Sequence, residues 1–362
     1  MNKNILIFGG TGAMGNPLVH ILAKEGYEVY ITSRSSREDS GNVHYLKGNA
    51  MDDSFAFNVL KSRKWHAIVD FMVYSTQKLK DRIEKLVEAT DQYVFISSCR
   101  VFADEDKIIT EKSPRLLDVS KDTEYLKTDE YALRKAREED LLRKYPNVTI
   151  VRPSVTFNDR RLQLGVYEVE DWLDRVLFDR TIVFSRDIAS HITTMTYGED
   201  VARGIAGLIG NPKALGEDLN IVTSEFHTWG EVMELYLEVL REKGLKPKVK
   251  MIDEALNLRI RRWQYQVKYA RLFDRRFDNS KILDAVPGLT FADTRTMLRR
   301  CTENYLKKAN SRVGLGWVSL LQDREAKELV SRKYFDSTVR YLKYLAVMLV
   351  PYKLLLKYID RD

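Results

Sequence analysis

A tyrosine and a lysine four positions apart, Tyr131 and Lys135, are the pair in this sequence best suited to proton transfer. In a helix, residues at positions i and i+4 share a face, so both side chains can point into one cleft. A phenol has a pKa of about 10, and a neighbouring ammonium group lowers that pKa towards neutrality. The pair therefore predicts a general acid or base beside a carbonyl or alcohol that gains or loses a hydride.

The same spacing occurs a second time, at Tyr74 and Lys78, so the spacing alone is not specific. Tyr74 directly follows a predicted strand, where a tyrosine is more simply interpreted as a wall residue of the fold. Tyr131 comes about one crossover after the predicted strand that leads to Ser98, in a helical segment. We therefore assign the acid or base role to Tyr131, and the alternative is an exposed helix tyrosine that pairs with a lysine.

A glycine-rich turn lies near the start of the chain. Gly10, Gly12 and Gly15 fit the pattern GxGxxG, and Gly9, Gly12 and Gly15 fit the related pattern GxxGxxG. The turn comes between a predicted strand and a predicted helix, where glycines let the backbone approach a pyrophosphate and the helix N-terminus offers N–H donors. This context predicts a dinucleotide-binding turn, and the alternative is an ordinary strand-to-helix turn.

The first part of the chain alternates between short β-type runs and helical stretches. Strands are predicted at residues 5–8, 28–32, 43–46, 67–71, 93–96 and 148–151. This alternation predicts an α/β fold of Rossmann type, a doubly wound parallel sheet that binds ligands at the carboxyl ends of its strands. We expect the Rossmann NAD(P)-binding domain at residues 1–155, a smaller substrate lobe interleaved with the last Rossmann elements at residues 156–312, and a helical C-terminal tail at residues 313–362.

Several further segments occur in the order of one protein family. They are Lys47-Gly48-Asn49-Ala50-Met51-Asp52, residues 94–102, Ile150-Val151-Arg152-Pro153, and residues 196–202, 219–221 and 228–231. Together with the glycine turn they resemble the extended short-chain dehydrogenase/reductase family, also called the NAD-dependent epimerase/dehydratase family. The sequence departs from the family pattern at Asn49, which replaces an aspartate, and at Met72 and Val73, which replace small residues beside the cofactor.

The resemblance implies a role for each candidate site residue. Tyr131 would be the acid or base, Lys135 would bind the nicotinamide ribose, and Ser98 would hydrogen-bond the reacting oxygen. The cofactor would contact Gly9, Gly10, Thr11, Gly12, Ala13, Met14, Gly15, Arg34, Asn49, Ala50, Met72, Lys135 and Pro153. The family's 4,6-dehydratases carry an Asp-Glu pair where this chain has Cys99 and Arg100. A dehydratase is therefore disfavoured, and epimerase and ketoreductase both remain open.

The resemblance also implies a nucleotide-sugar substrate. Arginines are frequent in the region of the substrate lobe, where the family binds nucleotide diphosphates, and a guanidinium group pairs well with phosphate oxygens. They are Arg160, Arg161, Arg175, Arg180 and Arg186. For any single one of them, a solvated surface charge is an equal alternative.

The residues after the second predicted strand bear on the choice of cofactor. NAD-specific Rossmann domains normally place an acidic residue there, about 20 residues beyond the glycines, to bind the ribose 2′-hydroxyl. This sequence instead has Thr32-Ser33-Arg34-Ser35-Ser36-Arg37. Because Arg34 can pair with a 2′-phosphate and Arg37 adds charge, NADP(H) is predicted in preference to NAD(H), which also favours net ketoreduction. The alternative is that Arg34 stacks on adenine and both cofactors bind.

The composition is that of a globular protein, with 44% hydrophobic and 31% charged residues. The two cysteines, Cys99 and Cys301, form no CxxC pair or Cys/His cluster, so neither a disulfide framework nor a metal site is expected. The N-terminal residues lack the pattern of a secretory signal, and we expect a cytoplasmic protein. The net charge of +7 suits an anionic ligand, a nucleic acid or an acidic membrane surface.

Two segments suggest other partners. Residues 258–271 interleave basic and aromatic side chains, as RNA-binding surfaces do, but an amphipathic helix on the substrate lobe explains the pattern more simply. Residues 341–358 are apolar and basic, and their apolar core is too short to span a bilayer. We expect the tail at residues 338–362 to pack on the protein or on a second subunit of a homodimer, or to contact the inner face of the membrane peripherally. A non-catalytic NADP-binding regulator is the remaining alternative.

Overall fold

The computed structural model describes residues 3–308 and 313–361 of the chain, which form two compact units. Unit 1 comprises Met1–Asn158, Thr194–Glu225 and Arg276–Thr294. Unit 2 comprises Asp159–Thr193, Phe226–Arg275 and Arg295–Asp362. The chain therefore leaves unit 1 after Asn158 and enters it again at Thr194 and at Arg276.

Unit 1 is built on a seven-stranded parallel sheet. The strands of the chain are β1 (Asn4–Phe8), β2 (Glu28–Ser33), β3 (Val43–Lys47), β4 (Trp65–Asp70), β5 (Thr90–Ile96), β6 (Val148–Pro153), β7 (Val155–Phe157), β8 (Ile182–Ser185), β9 (Ile192–Thr193), β10 (Met195–Tyr197), β11 (Asp218–Ile221), β12 (His227–Thr228) and β13 (Val249–Ile252). The sheet has the order β11-β6-β5-β4-β1-β2-β3, and every neighbouring pair is parallel. The order reverses between β1 and β4, which creates the crevice in which doubly wound sheets bind nucleotides. All six strands predicted from the sequence are present, and the predicted Rossmann-type fold is confirmed.

Helices of unit 1 cover both faces of this sheet, and the chain also has helices in unit 2. In chain order the helices are α1 (Gly15–Lys24), α2 (Asp53–Lys61), α3 (Thr76–Glu88), α4 (Leu116–Val119), α5 (Thr123–Leu126), α6 (Tyr131–Leu142), α7 (Val169–Leu177), α8 (Arg186–Ser190), α9 (Gly198–Leu208), α10 (Trp229–Glu242), α11 (Gln264–Gln266), α12 (Ser280–Ala285), α13 (Thr294–Lys308), α14 (Trp317–Ala326), α15 (Thr338–Leu349) and α16 (Tyr352–Arg361). Helices α1 and α9 lie on one face of the sheet, and α2 and α3 lie on the other. Short 3-10 helices occupy Cys99–Val101, Pro212–Ala214, Leu256–Arg259 and Arg332–Tyr334.

The alternation of side chains along β1 explains why the sheet needs helices on both faces. Ile5 and Ile7 are buried in a cluster with residues of α1 and α9, whereas Leu6 and Phe8 are buried in another with residues of α2 and α3. Successive strand residues point to opposite faces, so four consecutive apolar residues require a cover on each side. Each such side chain stabilises the fold by about 1.5–3 kcal/mol when it is fully buried.

Unit 2 is largely helical, with two short strand pairs, β8 with β13 and β9 with β12. The segment at residues 258–271 is not the amphipathic helix expected from its pattern, because α11 is followed directly by a π-helical turn at Val267–Arg271. At the end of the chain, Pro351 separates α15 from α16, since proline cannot donate the backbone hydrogen bond that would continue α15. Among residues 3–308 and 313–361, no helix is long and apolar enough to cross a membrane.

Candidate active site

The glycine turn connects β1 to α1 in unit 1. Gly9 has a φ of +75°, a left-handed conformation that favours glycine. A Cβ on Gly15 would lie 2.7 Å from the backbone of Gly10, so only glycine allows this close approach. At Gly12 a Cβ would meet nothing within 4 Å, which leaves the space above the turn open. Because α1 begins at Gly15 without a side-chain cap, its N–H groups remain available for a phosphate.

A cavity of about 450 Å³ adjoins this turn at the carboxyl ends of β1, β2 and β4. Its walls are Gly9, Thr11, Thr32, Ser33, Arg34, Ser35, Arg37, Gly48, Asn49, Ala50, Met51, Met72 and Val73. Six of the predicted cofactor contacts are among them, namely Gly9, Thr11, Arg34, Asn49, Ala50 and Met72. The cavity therefore lies where the glycine motif and the strand order both place a nucleotide.

The remaining predicted cofactor contacts do not line this cavity. They are Gly10, Gly12, Ala13, Met14, Gly15, Lys135 and Pro153. Four of them, from Gly12 to Gly15, continue the turn into α1. The Ala13 carbonyl oxygen faces Gly198 of α9, where a Cβ would approach it to 2.7 Å. Pro153 is buried at the end of β6, opposite Ile221 of β11.

Basic side chains form one rim of the cavity. Arg34 and Arg37 are both exposed, and the guanidinium of Arg37 lies 5.6 Å from the centre of the Tyr45 ring. Asp39 is turned to β3, where it accepts a hydrogen bond from the Tyr45 backbone N–H at 2.8 Å. That hydrogen bond, with a second from His44, holds the pKa of Asp39 below its ordinary value. The rim next to Arg34 is therefore cationic.

The opposite rim is shaped by the turn after β3. Gly48 packs against Phe55 of α2 so closely that a Cβ would lie 2.2 Å from the ring. The Asn49 side chain accepts a hydrogen bond from the Met51 backbone N–H at 3.1 Å, and this contact fixes the turn. Thr32, Gly48 and Met51 line the cavity although they are not among the predicted cofactor contacts, and Val73 lines it beside the predicted contact Met72. Gly48 and Met51 each adjoin a predicted contact and Thr32 adjoins Ser33, so extending each motif by one residue would have found them.

The end of β4 is supported by a buried carboxylate. Asp70 accepts hydrogen bonds from the Met72 backbone N–H and from the hydroxyls of Tyr74 and Tyr93, at 2.8–2.9 Å. Burial raises the pKa of Asp70, and burial beside this group also raises the pKa of Tyr74 well above the ordinary range of a phenol. Tyr74 is fully buried, so the second Tyr-x-x-x-Lys motif belongs to the wall of the fold.

The three predicted catalytic residues lie between β5 and the following 3-10 helix and on α6. Ser98 is the second residue after β5 and caps the 3-10 helix, where its hydroxyl oxygen accepts a hydrogen bond from the Arg100 backbone N–H at 3.2 Å. Tyr131 is the first residue of α6 and is half-buried. Lys135 is only 1% exposed, and its Nζ lies 3.1 Å from a carboxylate oxygen of Glu138. Within the part of the chain that the structure describes, no hydrogen bond joins Ser98, Tyr131 and Lys135 to one another.

The guanidinium carbon of Arg134 lies 5.8 Å from the centre of the Tyr131 ring, and Arg100 is the nearer cation. Its guanidinium carbon lies 5.0 Å from the centre of the Tyr131 ring, and a guanidinium nitrogen lies 2.6 Å from Glu130. Glu130 also caps α6 by accepting from the Ala132 backbone N–H, and it accepts from the hydroxyl of Tyr125. The position where a dehydratase would hold an acidic group therefore holds a cation, and the neighbouring carboxylate is fully engaged.

A second buried carboxylate attaches α6 to the sheet. Glu139 accepts two hydrogen bonds at 2.7 Å from Arg152 of β6 and one at 2.6 Å from Ser97. Glu139 and Arg152 have no exposed side-chain surface. Burial opposes ionisation of Glu139, but the hydrogen bonds and charge of Arg152 outweigh it and hold its pKa below the ordinary value. This ion pair fixes the helix that carries Tyr131 and Lys135.

Comparison with known proteins identifies the family. The family model described as NAD dependent epimerase/dehydratase matches residues 5–221, more than half of the chain. The chain belongs to this family. Its matched segment contains the glycine turn, the cavity walls, Ser98, Tyr131 and Lys135.

Solved structures of the epimerase/dehydratase family share the fold of the chain at low identity. An epimerase from Methanothermobacter thermautotrophicus superposes with a TM-score of 0.64 at 18% identity, covering 85% of this chain and 93% of that one. A dTDP-glucose 4,6-dehydratase from Bacillus anthracis and a UDP-glucuronic acid 4-epimerase from Bacillus cereus, both in complex with NAD, give TM-scores of 0.63 and 0.62. Their identities are 18% and 14%, and each alignment covers 84% of this chain and 97% of the other.

A relative from Arabidopsis thaliana is named for binding and not for an enzymatic reaction. The chloroplast stem-loop binding protein of 41 kDa b is 24% identical to this family member over 242 residues, which is 63% of this chain. The chain spans about 60% of the length of that relative. Catalytic and nucleic-acid-binding descriptions therefore both occur among the proteins that resemble this one.

Two arginines that the sequence suggested for binding a nucleotide diphosphate instead form ion pairs in the interior of unit 2. Arg175 and Arg180 are buried in unit 2, where both donate hydrogen bonds to Asp323 of α14, at 2.6–3.0 Å. Arg186 pairs with Asp253 on the surface at 2.8 Å. Because a buried charge needs a partner, Arg175 and Arg180 serve the interior of unit 2 and are not free to bind phosphate.

Proposed function

We propose that the chain is an NADP(H)-dependent enzyme that reduces or epimerises a nucleotide-sugar-like substrate. The observation that carries this proposal is the cavity at the carboxyl ends of β1, β2 and β4, with the glycine turn on one side and Arg34 on the rim. The open space above Gly12 and the uncapped start of α1 suit a pyrophosphate. The enzymatic names of the structural relatives support the same class of reaction.

The charges on the rim support NADP(H) in preference to NAD(H). A ribose 2′-phosphate is a dianion that needs cations and donors, and an acidic residue at the end of β2 would repel it. Arg34, Ser33 and Ser35 line the cavity at this point, while Asp39 is committed to β3. Arg37 would add a second positive charge.

The residues around α6 support proton transfer beside that cavity. A bound nicotinamide would supply the hydride acceptor or donor. Tyr131 would give or take the proton of the reacting oxygen, and Ser98 would hydrogen-bond that oxygen. Lys135 would support α6 through the 4.3 Å contact between its ammonium group and the Phe95 ring of β5.

A cofactor titration tests the NADP(H) assignment. The pure protein is titrated with NADPH and NADH by fluorescence or calorimetry, together with Arg34→Ala and, as a control, Arg262→Ala, which removes an exposed arginine of unit 2. A charge-assisted hydrogen bond contributes about 1.5–3 kcal/mol, so Arg34→Ala should weaken NADPH binding roughly tenfold to a hundredfold and leave NADH binding nearly unchanged. Equal affinities for the two cofactors, or an NADPH advantage that persists in Arg34→Ala, would refute the assignment.

A turnover assay separates the two reactions. A panel of nucleotide sugars and their keto derivatives is incubated with the protein and NADPH or NADP⁺, and the products are resolved by chromatography. A ketoreductase oxidises one NADPH for each product, whereas an epimerase changes the sugar with no net oxidation. Absence of any product with every member of the panel, from a protein that binds NADPH, would favour a non-catalytic NADP-binding regulator.

Binding of a nucleic-acid stem-loop is the second candidate function, favoured by the similarity to the stem-loop binding protein of Arabidopsis thaliana. In unit 2, Arg261, Arg262 and Lys268 are exposed, and the rings of Tyr265 and Tyr269 stack at 6.1 Å. Exposed cations next to aromatic rings suit phosphates and bases. Retention of an RNA stem-loop should fall as the salt concentration rises. Replacing the three cations with glutamine should reduce the slope of log affinity against log salt concentration by about 0.9 for each phosphate contact that is lost. No retention at low salt would rule this function out.

A further inference from the structure

The last two helices of unit 2 are apolar on the side that faces outwards as well as on the side that packs. On α15, Tyr344 is buried in a cluster with Val313, Leu320, Val330 and Phe335. On the outer side, Val339 is 62% exposed and Leu349 is 83% exposed. A helix on the surface of a globular protein normally directs charged and polar residues outwards.

The exposed residues of α15 form one stripe. Val339, Leu342, Ala346 and Leu349 are exposed and follow each other at intervals of three, four and three residues. Residues at these intervals lie on the same face of a helix. The stripe is therefore a continuous apolar surface, in contrast to scattered single residues, which are normal on any protein.

Helix α16 repeats this arrangement after the break at Pro351. Leu355 and Ile359 face inwards and pack in a cluster with Val183, Leu256, Ile260 and Leu321. Leu354 and Tyr358, one turn apart, are more than half exposed. Because the inner face of α16 already satisfies the core of unit 2, the outer apolar residues are not needed for that packing.

The charges from residue 338 to residue 359 are all basic, and Asp336 and Asp360 flank them. Between residues 338 and 359 the sequence contains no aspartate or glutamate, and it contains Arg340, Lys343, Lys353 and Lys357. The three lysines are exposed, whereas Arg340 pairs with Asp336. A surface that combines apolar side chains, tyrosine and lysine matches the boundary between acyl chains and anionic headgroups. Docking of a second copy through the same face would bring like charges together.

The lengths of the helices decide how they would lie. Helices α15 and α16 have 12 and 10 residues, which corresponds to about 18 Å and 15 Å at 1.5 Å per residue. The hydrocarbon core of a bilayer is about 30 Å thick. Each helix is thus too short to span, but both can lie in the plane of the interface with the apolar stripe towards the acyl chains.

We propose that α15 and α16 dock the protein on an anionic lipid surface. Leu342, Leu349 and Leu354 enter the acyl boundary, and Lys353 and Lys357 contact headgroup phosphates and carboxylates.

Vesicle flotation tests the proposal on the full chain. The probes are vesicles of phosphatidylcholine alone and of phosphatidylcholine with one third phosphatidylserine. We expect flotation with the anionic vesicles, weak or no flotation with the neutral ones, and loss of flotation at high salt. Leu349→Ser with Leu354→Ser should reduce binding at least tenfold. Lys353→Gln with Lys357→Gln should reduce it by roughly 25-fold, since each cation contributes about a fivefold effect.

Matched controls separate docking from a general effect of mutation. Leu215→Ser removes an exposed leucine of unit 1, and Lys112→Gln with Lys121→Gln removes two exposed lysines there. Both control variants should float like the original protein, and the α15–α16 variants should keep their circular dichroism spectrum and their NADPH binding. Flotation that is unchanged in both α15–α16 variants overturns the proposal. It is equally overturned if the original protein stays off anionic vesicles and forms a dimer in solution that Leu349→Ser disrupts.

Discussion

Replacing Glu139 by glutamine should destabilise unit 1 more than any exposed substitution on the same helix. In the structure the Glu139 carboxylate receives two hydrogen bonds from Arg152, one from Ser97 and a longer contact from Arg115. Glutamine keeps the size of the side chain but removes the charge and turns one acceptor into a donor. Arg152 would then remain buried with Asp218 as its one acidic partner at 2.7 Å.

The expected magnitude follows from the burial of the pair. Removal of one partner from a buried ion pair costs about 3–5 kcal/mol, because the other charge remains without water. The Asp218 carboxylate offsets part of that cost, so we expect a loss of about 3 kcal/mol. Asp140→Asn is the matched control on the same helix, since Asp140 pairs with Arg115 at 2.8 Å but is 46% exposed. An exposed pair contributes about 0.2–1 kcal/mol.

The pH dependence of stability provides a second test of the Glu139–Arg152 ion pair. The folded-state pKa of Glu139 is depressed, so its contribution is fully present above the ordinary carboxyl pKa of about 4.3 and is lost as the pH falls through the folded value. The difference in stability between the original protein and Glu139→Gln should therefore be largest near neutral pH and shrink below about pH 4.

Hydrogen exchange in urea, read at the amides of β5, β6 and α6, measures the stability of this region directly. We expect a large loss of stability for Glu139→Gln that depends on pH, and a small loss for Asp140→Asn. A loss below 1 kcal/mol in Glu139→Gln, or equal losses in both variants, would show that the ion pair does not hold α6 in place.

Three further outcomes are expected from the same geometry. Tyr131→Phe should keep dinucleotide affinity within about twofold and lower turnover by about a hundredfold or more, because only the proton-transfer group is lost. Steady-state kinetics measures the turnover, and rates near those of the original protein would exclude Tyr131 as the acid or base. Gly12→Ala should leave the melting temperature unchanged but weaken dinucleotide binding. Gly15→Ala should lower the melting temperature as well as the dinucleotide affinity, since the Cβ at position 15 would collide with the backbone of Gly10. Equal melting temperatures for the two variants would contradict the close packing of Gly15. Asp323→Asn should destabilise unit 2 by about 3 kcal/mol and speed exchange in α14, because Arg175 loses a buried carboxylate partner.

The dinucleotide turn and the sheet could be predicted because their signals are local. The glycines of the turn are within seven positions of each other, and each strand is a short apolar run between breaks. The cationic rim around Arg34 was also visible, since it follows directly from the end of β2. Each of these features depends on neighbours along the chain, which a sequence displays.

The surroundings of the catalytic helix could not be predicted in the same way. The spacing of Tyr131 and Lys135 correctly places both on α6, but it does not reveal that Lys135 is buried against Glu138. It also does not reveal that the nearer cation beside the Tyr131 ring is Arg100, which comes from the segment after β5. Helical spacing determines the direction of a side chain, whereas the packing of other elements determines what it meets.

The sequence by itself determined the Rossmann-type order of strands and helices, the position of the dinucleotide turn and the absence of an acidic residue at the end of β2, because all three are set by residues adjacent in the chain. The tertiary structure alone decided which charges are available for ligands. Arg175 looked like a phosphate ligand until the fold brought it to Asp323, 148 positions away. Pairing of this kind depends on which distant elements pack together and exclude water, and that is a property of the whole fold.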